Sequence, residues 1–205
     1  EAVRSALATA GADAAVCVPG RTLQYLTGFD EPQRDRHFLL VIPASGEPTG
    51  FVPSLSAAQF SRETWVRAVE TWDDADDPVT ALGALFDDLG IPEAPHLLVD
   101  DTMWAAFLQD VRSVRPRATI GLASEVVSKL RIRKDDAELD ALRRAARVAD
   151  DAVRAVRGLG SDAVGLTETD LAERIESFLT DAGGEGVSFE PIVGSGPHGA
   201  MPHHT

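Results

Sequence analysis

The chain has 205 residues and a strongly acidic balance, with 33 Asp and Glu against 19 Lys and Arg and a formal net charge of −14 at pH 7. Hydrophobic residues make up 44% of it, which suits one large or two small globular domains. This charge repels phosphate backbones and anionic membrane surfaces, so we expect neither nucleic acid nor membranes as partners. Lys129 and Lys134 are the only lysines. Such a composition is typical of a high-salt cytoplasm and equally of a GC-rich genome.

Cys17 is the only cysteine and lies in an apolar run. No disulfide can form within the chain, so a reducing compartment, the cytoplasm, is expected. We interpret the thiol as a buried small hydrophobe, since no histidine and no carboxylate pair stands beside it in the sequence. The sequence shows no apolar run of membrane-spanning length and no signal-peptide pattern.

Residues 1–123 alternate helix-like and strand-like segments. The helix-like segments cover residues 3–10, 23–29, 55–62, 79–89 and 103–111, and the strand-like segments cover residues 14–18, 38–42, 50–52, 66–72, 97–99 and 117–122. A turn through Ser45, Gly46 and Glu47 predicts that the second and third strands pair as a hairpin. Strands alternating with short helices, with one hairpin among them, predict an α/β fold around a mixed sheet.

Four aspartates, Asp73, Asp74, Asp76 and Asp77, precede Pro78. They lack the glycine spacing of a calcium loop. We therefore interpret them as a solvated turn that also caps the following helix, and not as a cation site.

The composition changes at Ala123, and we place a domain boundary there, between residues 1–123 and 124–205. A short helix is expected over 124–130, followed by a basic cluster that we interpret as a solvated linker. The longest helix begins near Asp135. Its apolar stripe, at alternating spacings of three and four, consists of Leu139, Leu142, Ala146, Ala149, Val153 and Val156.

Thr167 and Asp170 have the spacing of a capping box at the start of a second helix, which Gly183 and Gly184 close. Two amphipathic helices require a surface to pack on. The nearby strand candidate for that surface is residues 188–193.

Residues 194–199 match the pattern G-x-G-x-x-G. A dinucleotide site needs a helix to begin at this point, and Pro197 and Pro202 forbid one. We therefore expect a bend in which the backbone makes a close approach, with His198 as an ordinary loop residue. His203 and His204 are adjacent, and neighbours in an extended segment point to opposite faces, so composition and spacing favour polar loop residues over a metal site.

Three stretches resemble one known family. Tyr25-Leu26-Thr27-Gly28-Phe29, Leu130-Arg131-Ile132-Arg133-Lys134 and the segment from Phe189 to His204 are similar to motifs of the pita-bread metallopeptidases, most of all the Xaa-Pro aminopeptidases and Xaa-Pro dipeptidases (prolidases). The resemblance implies a creatinase-like N-terminal mixed-sheet α/β domain over residues 1–123. It implies the first part of a pita-bread (α+β) peptidase domain over residues 124–205.

The same resemblance implies the site. The residue matching His203 lines the active site and helps with proton movement, so His203 is the expected catalytic residue. His203 and His204 are the expected substrate-binding residues. The family uses two divalent ions (Mn, Co or Zn), held by two aspartates, one histidine and two glutamates downstream of this region, and none of those ligands can be named here. We expect a proline-containing peptide substrate and a homodimer. We also expect the 205 residues to be a truncated, inactive part of the enzyme.

Two other functions remain open on the same architecture. One is a creatinase-like amidinohydrolase, which uses no metal and depends on the histidine matching His203. The other is a non-catalytic relative that binds peptides or partners.

Overall fold

A computed structural model describes residues 1–204, which form two compact units. The first unit is Glu1–Arg133, and the second begins at Lys134. The elements of the first unit are α1 (Ala2–Ala10), β1 (Ala14–Cys17), α2 (Arg21–Thr27), β2 (Leu39–Pro43), β3 (Thr49–Pro53), α3 (Ser54–Glu63), β4 (Ala68–Trp72), α4 (Pro78–Asp88), β5 (His96–Val99), α5 (Ala105–Val114), β6 (Thr119–Leu122) and α6 (Ser124–Arg131). Each helix and strand expected over residues 1–123 is present, with ends shifted by a few residues.

The six strands form one mixed sheet in the order β4-β3-β2-β1-β5-β6. The central strand β1 pairs antiparallel with β2 and parallel with β5. The predicted hairpin is confirmed, because β2 pairs antiparallel with β3 in a register that sets Leu39 opposite Phe51. At one edge of the sheet β4 pairs parallel with β3, and at the other edge β6 pairs parallel with β5. The mixed α/β architecture expected from the sequence is therefore correct.

Helices cover both faces of the sheet. Ala15 and Cys17 of β1 belong to the core cluster that includes Leu7 of α1, whereas Val16 belongs to the cluster that includes Phe86 of α4. Successive side chains of a strand point to opposite faces, so a strand that is buried on both faces is apolar throughout. This accounts for the unbroken apolar run around Cys17, whose thiol is fully buried, as expected.

The acidic turn caps α4, as its sequence predicts. The Asp77 side chain accepts a hydrogen bond from the Val79 amide at 3.1 Å, and Pro78 occupies the first turn of the helix. Asp74 makes a two-pronged contact with Arg36, with both nitrogen–oxygen distances at 2.8 Å. The Asp74 and Asp77 side chains thus have structural partners within the first unit.

Helix α6 belongs to the first unit, which ends ten residues beyond the boundary expected from composition. Val126 and Val127 are buried in the same core cluster as Leu7 of α1. The change in composition at Ala123 marks the end of the last strand. The sequence pattern does not show that the next helix packs back onto the sheet.

The second unit contains two long helices, α7 (Asp136–Gly158) and α8 (Glu168–Asp181), and two short 3₁₀ turns, Gly160–Ala163 and Gly196–Ala200. Each long helix begins with a capping box. In α7 the box joins Asp135 and Glu138, and in α8 it joins Thr167 and Asp170, as predicted for the second helix.

The strand expected over residues 188–193 is absent, and this prediction was wrong. Residues 134–204 contain no strand in the structure. An extended segment forms a strand only when a neighbouring strand takes up its backbone hydrogen bonds, and the described part of this unit offers no such neighbour. None of the described helices is long and apolar enough to cross a membrane.

Candidate functional site

The histidines near the end of the described chain lie in a compact loop, residues 195–204, here called the histidine loop. Three backbone hydrogen bonds, each spanning three residues, link it end to end. The amide of His198 donates to Ser195 at 3.0 Å, that of Met201 to His198 at 2.8 Å, and that of His204 to Met201 at 3.3 Å. The loop is therefore a chain of three successive turns.

Two glycines make the start of this loop possible. A Cβ on Gly194 would lie 2.9 Å from the carbonyl oxygen of His198, and Gly196 has φ +52°, a conformation that side chains with a Cβ rarely adopt. The G-x-G-x-x-G pattern is thus a tight bend with a close backbone approach. The expected bend is confirmed, whereas Pro197 does not prevent the 3₁₀ turn Gly196–Ala200 from beginning there.

Glu168 connects helix α8 to both ends of the histidine loop. Its Oε1 accepts the Ser195 amide at 2.6 Å and the Ser195 hydroxyl at 3.1 Å. Its Oε2 lies 2.8 Å from Nδ1 of His198 and 3.0 Å from Nε2 of His204. Since an ionised carboxylate only accepts hydrogen bonds, both of these imidazole nitrogens carry a proton.

These donors stabilise the ionised form of the Glu168 carboxyl. The Ser195 amide lowers the pKa of this carboxyl most, followed by the His198 imidazole, and His204 and the Ser195 hydroxyl contribute less. The four donors together lower the pKa from its ordinary 4.5 to about 2. Partial burial opposes the shift. The glutamate is therefore a fixed negative charge at neutral pH.

The rings of His198 and His204 stack, with centroids 4.1 Å apart and planes 29° apart. Glu168, His198 and His204 are the one group within residues 1–204 whose ligand atoms are close enough to be considered for a metal ion. Two ligands of one tetrahedral zinc ion lie about 3.3 Å apart when the metal–ligand bonds are about 2.05 Å. The 2.8 and 3.0 Å contacts of Glu168 are shorter and have the lengths of hydrogen bonds. Three residues in this arrangement do not fit a centre for two divalent ions.

His203, the expected catalytic residue, differs from its neighbour. Its side chain is exposed and makes no hydrogen bond within residues 1–204, whereas His204 is half-buried against Glu168. The two adjacent histidines thus have different surroundings.

A groove of about 430 Å³ lies beside the histidine loop, within the second unit. Helix α8 forms one wall, residues 190–193 form the other, and His204 also lines it. Its volume is within the usual range for small-molecule pockets, and glutamates of both walls make it acidic.

Comparison with known proteins identifies the family. Residues 1–133 match the creatinase/prolidase N-terminal domain, and residues 140–205 match metallopeptidase family M24. The chain belongs to the creatinase/prolidase family of M24 metallopeptidases. The probable dipeptidase PepE of Mycobacterium tuberculosis is 38% identical over 98% of this chain and 52% of its own length.

Solved structures agree with this assignment. A prolidase from Thermococcus sibiricus superposes with a TM-score of 0.89 and 31% identity, over 99% of this chain and 55% of that one. The dipeptidase PepE from Mycobacterium ulcerans gives a TM-score of 0.84 and 35% identity, over 99% of this chain and 53% of that one. The chain thus spans about half the length of the relatives that it matches. The family implies divalent metal cofactors.

Sequence reasoning missed two residues of the site. The sequence predicts an ordinary loop residue at His198, and no sequence pattern points to Glu168. The only sequence feature that hinted at this cluster is that His198 and His204 lie six residues apart in one glycine- and proline-rich segment. Glu168 lies 30 residues before His198, and no spacing rule joins the start of a helix to a loop at that distance.

Proposed function

We propose that this chain is part of a metal-dependent peptidase that acts on Xaa-Pro bonds, either releasing an N-terminal residue or splitting a dipeptide. The likeness to a prolidase structure through both units, with a TM-score of 0.89 over 99% of the chain, carries this proposal. The 38% identity to a protein named as a dipeptidase supports it.

His203 is the proposed catalytic residue. Its exposed imidazole makes no hydrogen bond to the described residues, so it is able to contact a substrate and to exchange a proton with it. His204 is proposed to bind substrate with His203, because it lines the acidic groove. The acidic walls favour a substrate with a free amino group, as a peptide with an open N-terminus has.

The proposed cofactors are two divalent ions, manganese, cobalt or zinc. Residues 1–204 hold no group of His, Cys, Asp and Glu that fits such a pair, so the ligands are proposed to lie outside them. For the same reason we expect the isolated 205-residue chain to be inactive. Bound metal ions would activate a water molecule as the nucleophile for peptide hydrolysis.

The proposed enzyme is cytoplasmic and forms a homodimer. The lone, buried Cys17 supports a reducing compartment, and the acidic charge opposes nucleic acid and membrane partners. Light scattering on the full-length protein would test the assembly. A single monomeric species would contradict it.

Activity is tested with the full-length protein and the 205-residue chain in parallel. We expect the full-length protein to hydrolyse Ala-Pro or Ala-Pro-Ala, but not Ala-Ala, after addition of Mn²⁺, Co²⁺ or Zn²⁺, and to lose activity with a chelator. The isolated chain should be inactive under all of these conditions. Creatine hydrolysis without metal would support the amidinohydrolase instead, and binding of peptides without turnover would support the non-catalytic relative.

His203→Ala is expected to lower the turnover of the full-length enzyme by about 10²- to 10⁴-fold, the usual contribution of a general acid or base. His96→Asn is the matched control, because His96 belongs to the first unit and its ring contacts the backbone of Gly11. Equal activities of the two variants would refute the role of His203.

A further inference from the structure

Glu168 makes contacts that helix α8 does not need. The cap of this helix is already complete, because Thr167 and Asp170 exchange hydrogen bonds across the first turn. The carboxylate of Glu168 instead turns away from the helix and bonds to groups 27, 30 and 36 residues later in the chain. Its partners all belong to the histidine loop.

These contacts hold the loop at three of its residues. Ser195 is the first residue of the loop, His198 lies within it, and His204 is the last residue that the structure describes. His203 lies inside the final turn, which the amide of His204 closes on the carbonyl of Met201. Fixing His204 on Glu168 therefore fixes the backbone that carries His203.

We propose that Glu168 is a positioning residue: its carboxylate holds the histidine loop and thereby sets the place and orientation of His203 for the peptidase reaction. This inference rests on the proposed function, since it assigns Glu168 a role through the proposed catalytic histidine. Glu168 itself touches no reacting atom in this scheme. A displacement of about 1 Å in a catalytic group lowers turnover by roughly 100-fold, so the anchor contributes to rate and not only to stability.

The first experiment measures the loop without reference to catalysis. Hydrogen exchange of the Ser195 amide, which donates to Glu168, is compared in the wild type, Glu168→Gln and Glu168→Asp. Glu185→Gln is the control for a lost charge, because Glu185 is exposed and lies in the same unit. Glu168→Asp keeps the negative charge at the start of the helix but shortens the side chain by one methylene, so it separates loop contact from helix electrostatics.

We expect exchange of this amide to be about tenfold faster or more in both Glu168 variants and unchanged in the control. Wild-type exchange in Glu168→Asp would mean that only charge at the helix terminus matters, and it would overturn the proposal. Protection that appears in the wild type only after Zn²⁺ is added would also overturn it, because Glu168, His198 and His204 would then be a metal site. Circular dichroism verifies that each variant is folded.

The second experiment asks whether Glu168 acts through His203. In the full-length enzyme, Glu168→Gln should lower kcat by roughly 100-fold with a smaller change in KM. In the His203→Ala background the same change should lower kcat little further, because the group that it positions is already gone. Additive losses would overturn the proposal, even with altered exchange. A wild-type enzyme without Xaa-Pro activity would refute the proposed function, and the exchange experiment would still decide whether Glu168 holds the loop.

Discussion

Gly194→Ala tests how tightly the histidine loop is closed. The new Cβ would lie 2.9 Å from the carbonyl oxygen of His198 and 3.1 Å from its carbonyl carbon, whereas ordinary contacts begin at 3.4 Å. Both partners are backbone atoms, so no side-chain rotation relieves the clash, and the turn must open by about 0.5 Å, the difference between 3.4 and 2.9 Å. Overpacking of this kind costs about 1–3 kcal/mol. At about 1.4 kcal/mol for each factor of ten, the closed turn becomes roughly 5- to 150-fold less populated.

The matched control is Gly199→Ala, a glycine within the histidine loop. Its Cβ would meet the nearest heavy atom, the carbonyl oxygen of Gly194, at 3.6 Å, which is an ordinary contact. Neither glycine has positive φ, so an added methyl group brings no backbone strain at either position. Any difference between the two variants therefore comes from the clash with His198.

The assay is hydrogen exchange of the His198 amide, which closes the first turn of the loop on Ser195. We expect exchange to be roughly 5- to 150-fold faster in Gly194→Ala and within about twofold of wild type in Gly199→Ala. Circular dichroism should show unchanged helix content in both. Equal exchange in the two variants would refute the reasoning, because it would mean that the turn is not packed as closely as the contact indicates.

Three further predictions concern other parts of the molecule. Gly50→Ala should lower the free energy of unfolding, measured by urea titration, by about 1–3 kcal/mol, since its Cβ would lie 2.5 Å from the ring of the buried Phe60. Gly83→Ala lies on a helix with its nearest contact at 3.7 Å, so this change should raise the free energy of unfolding by about 0.5–1 kcal/mol. The hydrogen bonds of Glu168 should stabilise the loop fully above pH 4.5 and lose this effect as pH falls through about 2. In an NMR titration the Glu168 carboxyl should show a midpoint near pH 2, and a midpoint near pH 4.5 would contradict the contacts. Burial raises the pKa of the Cys17 thiol far above its usual range, so iodoacetamide at pH 8 should label the unfolded but not the native protein.

The first unit was largely predictable from its sequence because its core follows the hydrophobic pattern. The strand at residues 14–18 reads as an unbroken apolar run, and the structure buries both faces of β1. The turn at residues 45–47 predicted the hairpin correctly. The place of α6 was not predictable in the same way. Val126 and Val127 pack in the core of the first unit, but two adjacent apolar residues do not show from sequence which of the two units the helix belongs to.

The second unit was less predictable, because hydrogen-bonded pairing and side-chain contacts decide its local structure. An extended pattern at residues 188–193 predicted a strand, but strand formation requires a neighbour that a single segment cannot reveal. The bend at Gly194 and Gly196 was correctly interpreted, but the reason drawn from the prolines was too strong, because a 3₁₀ turn, Gly196–Ala200, begins there with Pro197 at its start. The anchoring of His198 was missed because its partner is remote in sequence.

Directed polar contacts hold the histidine loop. Three backbone turns order it along the main chain, and the hydrogen bonds of Glu168 tie it to helix α8. A carboxylate with several donors specifies geometry more sharply than apolar contact does, because each bond constrains direction as well as distance. The substitution of Glu168 should therefore alter the loop more than the substitution of Glu185, an exposed glutamate of the same unit.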